Sequence, residues 1–344
     1  MVRLDGHGPW LASTPDLVKQ VLTDPDRFDF PGDVSRSGDL SGSVGDTRSG
    51  HTVFAPLTPD RVALGSETFD EQWQRAVEAH PADHVSFDAM ELLRRPVARS
   101  TTAAVLPAID EQQRNAIGDL VLGWIDALGP VISSRRPPRR WSRRRRGETR
   151  ARLALEAALD GLPGRGQSAA ELSAMLAAGI QVPIAAGAFL LAWLGSHEGG
   201  DVDPVHVAWE TIRLTPPTWI TARVTSRLVE LGGQEVPANS LVLVSPLLLG
   251  RHPDLVPGDP ETITHFDPDR WRAEGRRPGA WLPFGAGPHA CPGRNLGMAQ
   301  LVSLARWGLG REIILSEPAT IDQSRGIFPS PCRFTAAPRR EPPT

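Results

Sequence analysis

The sequence predicts a mainly α-helical protein with small β-sheets, and three observations carry that prediction. "SAAELSAMLAAGIQVPIAAGAFLLAWLG", Ser168 to Gly195, is apolar almost all the way round, which suits a helix at a protein's centre. From Phe69 to Leu128 the apolar residues recur mostly at helical spacing. Past Trp209 the pattern changes to short β-like runs such as "RLVEL" and "LVLVS", then to proline-rich loops.

The elements follow in order. "VRLDGHGPWLAS" sets turn residues between short apolar pieces and predicts a β-hairpin. "PDLVKQVLTD" reads as a short amphipathic helix begun by Pro15, where a missing N–H costs nothing. From about Phe28 to Pro59, glycine, serine and aspartate dominate, so loop is expected, with room for one short helix. Ser168 is the expected N-cap of the long central helix, which has Pro183 inside it, and a last helix is expected after Pro292. No repeat or linker divides the chain, so residues 1–344 are read as one domain.

Composition excludes several classes. With 344 residues and 40% apolar content the chain can bury a sizeable core. Two cysteines make no disulfide framework, no signal peptide is evident, and the longest apolar run, Val182 to Gly195, is expected to be too short for a bilayer. A soluble, cytoplasmic protein is expected. The net charge of −3 argues against a globally basic nucleic-acid binder. "RRPPRRWSRRRR", Arg135 to Arg146, is the local exception, with eight arginines around Trp141. It is read as a solvated loop, with recognition of an anionic or carrier-protein-bound substrate as the sharper alternative.

The chemistry centres on "WLPFGAGPHACPGRNLG", Trp281 to Gly297. Gly285, Gly287 and Gly293 allow a tight backbone path and close approach of a flat ligand, and a helix starting near Arg294 would aim its N–H groups at Cys291. That setting favours a thiolate, a soft metal ligand. A lone cysteine cannot build a structural zinc site, whereas haem iron needs one protein ligand from below. His289 is placed to hydrogen-bond a carboxylate at a porphyrin's rim. The bland alternative is a buried structural thiol before a helix, which is the reading given to Cys332.

Phe284, Gly285, Gly287, His289, Cys291 and Gly293 resemble the haem-binding loop of the bacterial cytochrome P450 family, in its form "FGxGxHxCxG". Glu210 and Arg213 in "WETIRL", with Arg270 in "HFDPDRW", are similar to that family's buried Glu-Arg-Arg network, and Arg223 in "TWITARV" matches its propionate-pairing arginine. The resemblance runs from Trp10 onward, without the family's usual first helix. It implies a P450-like fold, with haem b (iron protoporphyrin IX) between the long central helix and the Cys291 loop. It also implies a ferredoxin-type electron donor and a monomer, with no nucleic acid and no membrane. For the second propionate, "TRSGHTVFAPLTP" offers only Arg48 and His51, a poor match.

One departure is informative. The family's central helix usually carries "AGxDT" or "AGxET", whose acid and threonine deliver protons to bound oxygen. Aligning Ala178 and Gly179 puts Gln181 at the acid and Val182 at the threonine, followed by Pro183. Gln181 can orient a water but cannot titrate, and Val182 has no hydroxyl. Pro183 frees a carbonyl one turn earlier to hold a water or the substrate, or it merely kinks the helix.

Three chemistries stay open: a monooxygenase with substrate- or water-assisted proton delivery, a peroxide-driven enzyme, or a non-oxidative one performing isomerisation, dehydration or nitrene-like transfer. A haem-dependent accessory protein stands outside them. By resemblance the pocket draws on the loop before Pro59, the stretch from Trp124 to Arg146, Gly179, Pro217 to Thr221 and the turn at Ile327. Their side chains suit a small, largely apolar substrate of natural-product type.

Overall fold

The computed structural model describes residues 1–30, 53–79, 86–134, 136, 138–139, 141–162, 167–197, 202–272, 278–322, 328–329 and 332–339. Arg48, His51 and Ile327 lie outside them, as does most of the glycine- and serine-rich stretch before Pro59.

The chain opens with β1 (Val2–Arg3) and β2 (Trp10–Ala12), the expected antiparallel hairpin. The helix α1 (Pro15–Thr23) follows, with Pro15 in its first turn and Leu17, Val18, Val21 and Leu22 buried on one face. β3 (Phe28–Asp29) comes next, then α2 (Pro59–Glu78), β4 (Phe87–Asp88), α3 (Ala89–Val105) and α4 (Glu111–Ile132). Asp88 and Asp110 cap α3 and α4 by accepting from the N–H groups of Glu91 and Gln113.

The basic segment is only partly a loop. α5 (Arg143–Asp160) starts inside it, because the Ser142 side chain accepts from the Arg145 N–H and so supplies an N-cap. Four arginines in the first turn oppose the helix macrodipole. Arg145 is drawn inward. With Arg152 it flanks the buried carboxylate of Glu148, at 3.8 and 3.7 Å, and the Trp124 indole N–H donates to the same carboxylate at 3.0 Å. α4 and α5 are thereby fastened together.

The central helix is α6 (Ala169–Gly195), capped by Ser168 in a full capping box with Glu171. It packs against α3, α5 and α9 (Arg294–Leu309), the helix expected after Pro292. By length and composition α4 and α6 could each cross a membrane, which corrects the expectation drawn from the shorter run Val182–Gly195. α6 owes its apolarity to burial: every residue from Ile184 to Ala192 is buried among other elements.

α7 (Pro204–Leu214) leads into β5 (Thr221–Thr225), β6 (Val229–Leu231), β7 (Gln234–Val236) and β8 (Leu241–Val244), so "RLVEL" and "LVLVS" both contain strands. The opening hairpin joins β8 in parallel, giving a five-stranded sheet in the order β1-β2-β8-β5-β3. A short α8 (Pro246–Leu249) precedes the loops that lead to α9. β9 (Arg311–Leu315), β10 (Ile321–Asp322), β11 (Phe328–Pro329) and β12 (Arg333–Pro338) close the chain, and β4-β12-β9 form a second sheet. Cys332 sits in this core as expected: its thiol donates to the Ala188 carbonyl at 3.4 Å, and burial raises its pKa to about 12.

Candidate functional site

A buried network of charges is joined through ring contacts to the Cys291 loop. On α7, Arg213 donates to both oxygens of Glu210, at 2.8 and 2.6 Å, and Arg270 adds a third bond at 2.9 Å. The remaining guanidinium N–H groups go to the carbonyls of Gly250, Ile263, Pro257, Thr262 and His265. The Trp271 indole and the Asp267 amide donate to the same carboxylate. Glu210 and Arg213 have no solvent exposure and the Arg270 side chain 1%, so these buried charges depend on one another and on the surrounding carbonyls.

Aromatic contacts tie this cluster to the loop. Trp271 stacks on Trp281 at 5.1 Å, Trp281 meets Trp209 at 5.8 Å, and Trp209 meets Phe284 at 6.1 Å. The sequence reading missed these three tryptophans. Their signal was adjacency, since each lies beside or within a motif already singled out.

The loop itself is tightly turned. Leu282 takes φ 55°, a left-handed conformation that costs a bulky residue about 1–3 kcal/mol, and Gly285 and Gly287 have φ 69° and 71°. A Cβ on Gly287 would lie 2.5 Å from the Leu22 carbonyl oxygen, so this glycine serves close approach to α1 rather than to a flat ligand. A Cβ on Gly293 would meet nothing within 4 Å, as would one on Gly297. The Cys291 N–H donates to the Phe284 carbonyl at 2.9 Å. Its sulfur accepts from the Gly293 N–H at the start of α9, and Arg294 adds positive charge nearby. Both lower the thiol's pKa. Cys291 is exposed on the loop's open side, yet enough protein crowds its sulfur that desolvation outweighs them and the pKa is raised. The local donors alone therefore do not make the expected thiolate.

Arg223 and His289 converge on Phe30. The Arg223 guanidinium lies 3.8 Å from the centre of the Phe30 ring, and the His289 ring meets the same phenylalanine edge-on at 4.7 Å. Arg223 is 4% exposed and donates to the Ala222 carbonyl at 2.9 Å. Burial lowers its pKa from the ordinary value, and Asp29 opposes that shift. No described carboxylate lies within ion-pair distance of it, and Asp29 acts on it only from farther away.

α6 presents one open row. Ala170, Ala174, Ala178 and Val182 recur every fourth residue and are exposed, although the helix is otherwise largely buried; Val182 is 38% exposed. Gln181 is half-buried and Ile180 fully buried. The freed carbonyl corrects the expectation for Gly179. Pro183 removes its helical donor, but the hydroxyl of Thr101 on α3 takes that place at 3.1 Å. Sequence reasoning missed Thr101, which lies far away along the chain.

Comparison with known proteins agrees with this geometry. The model for the family "Cytochrome P450" matches residues 206–307. A cyclooctat-9-en-7-ol 5-monooxygenase of Streptomyces melanosporofaciens is 30% identical over 379 residues, covering 90% of this chain and 82% of the relative. Cyclooctatin synthase of the same organism is 38% identical over 38% of this chain and 29% of its own length. The structure of CYP175A1 from Thermus thermophilus superposes with a TM-score of 0.72 at 19% identity, covering 95% of this chain and 88% of that one. The open form of cytochrome P450 EryK from S. erythraea gives 0.70 at 18% identity, over 97% and 92%. The protein belongs to the cytochrome P450 family and is a P450-type monooxygenase, of a family that works with a haem cofactor.

Proposed function

We propose that this monooxygenase holds haem b through the Cys291 thiolate and oxygenates a small, largely apolar natural product whose own hydroxyl, or a water it orients, delivers protons. The residues present fit such a group. A row of small side chains on α6 stands open, a Cβ on Gly293 beside the exposed thiol would meet nothing within 4 Å, and the buried Arg223 cation has no described carboxylate within ion-pair distance. A haem propionate would supply that carboxylate. Neither cysteine of this sequence lies in a C-x-x-C-H motif, which favours the non-covalent haem b.

The residue roles follow from chemistry. Cys291 would ligate the iron, Arg223 and His289 would hold propionates, and Phe284, Gly285 and Gly293 would line the lower face. Glu210, Arg213 and Arg270 brace the loop without touching the cofactor. Bound haem supplies oxygen activation, with electrons from a ferredoxin-type protein. The protein's own contribution is to orient the substrate along Ala174, Ala178 and Val182 and to limit water there.

The single observation behind the proton-delivery reading is Val182. It stands open on α6 where a hydroxyl is usual in the family, and Gln181 beside it cannot titrate. The relative's name describes an unsaturated alcohol as its substrate, and a hydroxyl of that kind could donate where Val182 cannot. The exposed Arg136, Arg139, Arg143, Arg144 and Arg146 favour an anionic carrier for that substrate. We further propose a single-domain, cytoplasmic monomer.

Turnover assays test this. With oxygen, NAD(P)H and a ferredoxin system, substrate analogues lacking one hydroxyl should bind normally yet consume reductant with little product. Equal product yield from every such analogue contradicts substrate assistance. Turnover by hydrogen peroxide alone at the same rate would favour the peroxide-driven alternative, which the absence of an acid on the open row of α6 also fits.

A further inference from the structure

A proline inside a helix leaves the carbonyl four residues earlier without its N–H donor. In α6 that carbonyl belongs to Gly179, on the same turn as Ala178 and Val182, which face the open side. An unsatisfied carbonyl near an open helix face attracts water and tilts outward, loosening the helix there.

The structure supplies a donor from another helix. Thr101 on α3 is 4% exposed, and its hydroxyl donates to Gly179 at 3.1 Å. Gly179 makes the approach possible, because a Cβ there would lie 3.0 Å from the Thr101 γ-methyl. The neighbouring residue on α3 is anchored independently. Ser100 donates to the Gly65 carbonyl of α2 at 2.6 Å and accepts from the Gln300 side chain of α9 at 2.8 Å. α3 is therefore held against α2 and α9 while it offers one hydroxyl to α6.

We propose that Thr101 is a positioning residue for oxygen activation: its hydroxyl replaces the donor that Pro183 removes and holds the turn from Ala178 to Val182 in place. This rests on the P450 reading of the site.

The test is a double-mutant cycle on the haem-loaded protein with Thr101→Val, Thr101→Ser, Pro183→Ala and Thr101→Val/Pro183→Ala. Thr101→Val keeps the shape and removes the donor; Pro183→Ala restores the helical N–H. Amide exchange at Val182 and Ile184 should rise about tenfold in Thr101→Val, as expected for a stranded carbonyl. Peroxide released per NAD(P)H, measured with oxygen and no substrate, should rise with it. Thr101→Ser should restore both, and Thr101→Val in the Pro183→Ala background should change neither. Unchanged exchange in Thr101→Val, or an increase that Pro183→Ala does not suppress, overturns the proposal. If Thr101→Val takes up no haem, uptake by the double variant supports the proposal and failure of both overturns it. A parent protein that takes up no haem would sink the P450 site instead, while the exchange cycle on haem-free protein would still decide whether Thr101 braces the turn.

Discussion

The network beneath the Cys291 loop and the open turn of α6 solve opposite problems. In the network, three buried charges are bound to one another and to backbone carbonyls, so removing any one strands the others. On α6, Gln181 and Val182, proposed to stand at the family's proton-delivery positions, carry no titratable group, and the Gly179 carbonyl accepts from a threonine distant in the chain. The difference teaches that a buried, fully engaged ion network constrains its residues far more than an open helix turn whose backbone is satisfied from outside.

The largest effect should come from breaking the rigid side. Glu210→Ala strands two buried guanidinium groups, a loss of about 3–5 kcal/mol, and should abolish haem uptake as read by haem content per chain. A soluble, fully loaded Glu210→Ala protein would erase the contrast. Glu148→Ala probes a second buried charge, one away from the loop. It should cost about 2–4 kcal/mol in urea unfolding, since Arg145 and Arg152 lose their shared carboxylate, yet leave haem content near normal. Equal loss of haem in both variants would mean that general instability, not loop bracing, explains the first result.

Smaller effects sharpen the site itself. Arg223→Gln should weaken haem retention about tenfold, measured by haem transfer to an acceptor protein, because it removes one charge-assisted contact. Val182→Thr should raise the product yield of hydroxyl-lacking analogues by less than about tenfold, since the hydroxyl returns but Pro183 still alters the turn. No gain from Val182→Thr would place proton delivery away from this position.

Much of the rigid side was legible because its residues are tied to short motifs. Glu210 and Arg213 are spaced to share a helix face, and Arg270 and Cys291 sit in recognisable local sequence. The capping box at Ser168, the helix from Pro15 and the helix from Arg294 were also local features. What remained hidden depends on contacts between distant elements. Thr101 reads as one of several small polar residues on α3 until Gly179 is placed beside it. Gly287 reads as ligand clearance until α1 is seen against it. Arg143 to Arg146 read as loop because a run of charge suits solvent, whereas the Ser142 cap and the buried Glu148 that start a helix there need three dimensions.

The central claim is that Cys291 ligates haem iron, and carbon monoxide tests it most directly. Reduced protein exposed to carbon monoxide should show the red-shifted absorption band of thiolate-ligated haem, and Cys291→Ala should lose it while the buried network keeps the chain folded. Retention of the same band by Cys291→Ala would contradict the account.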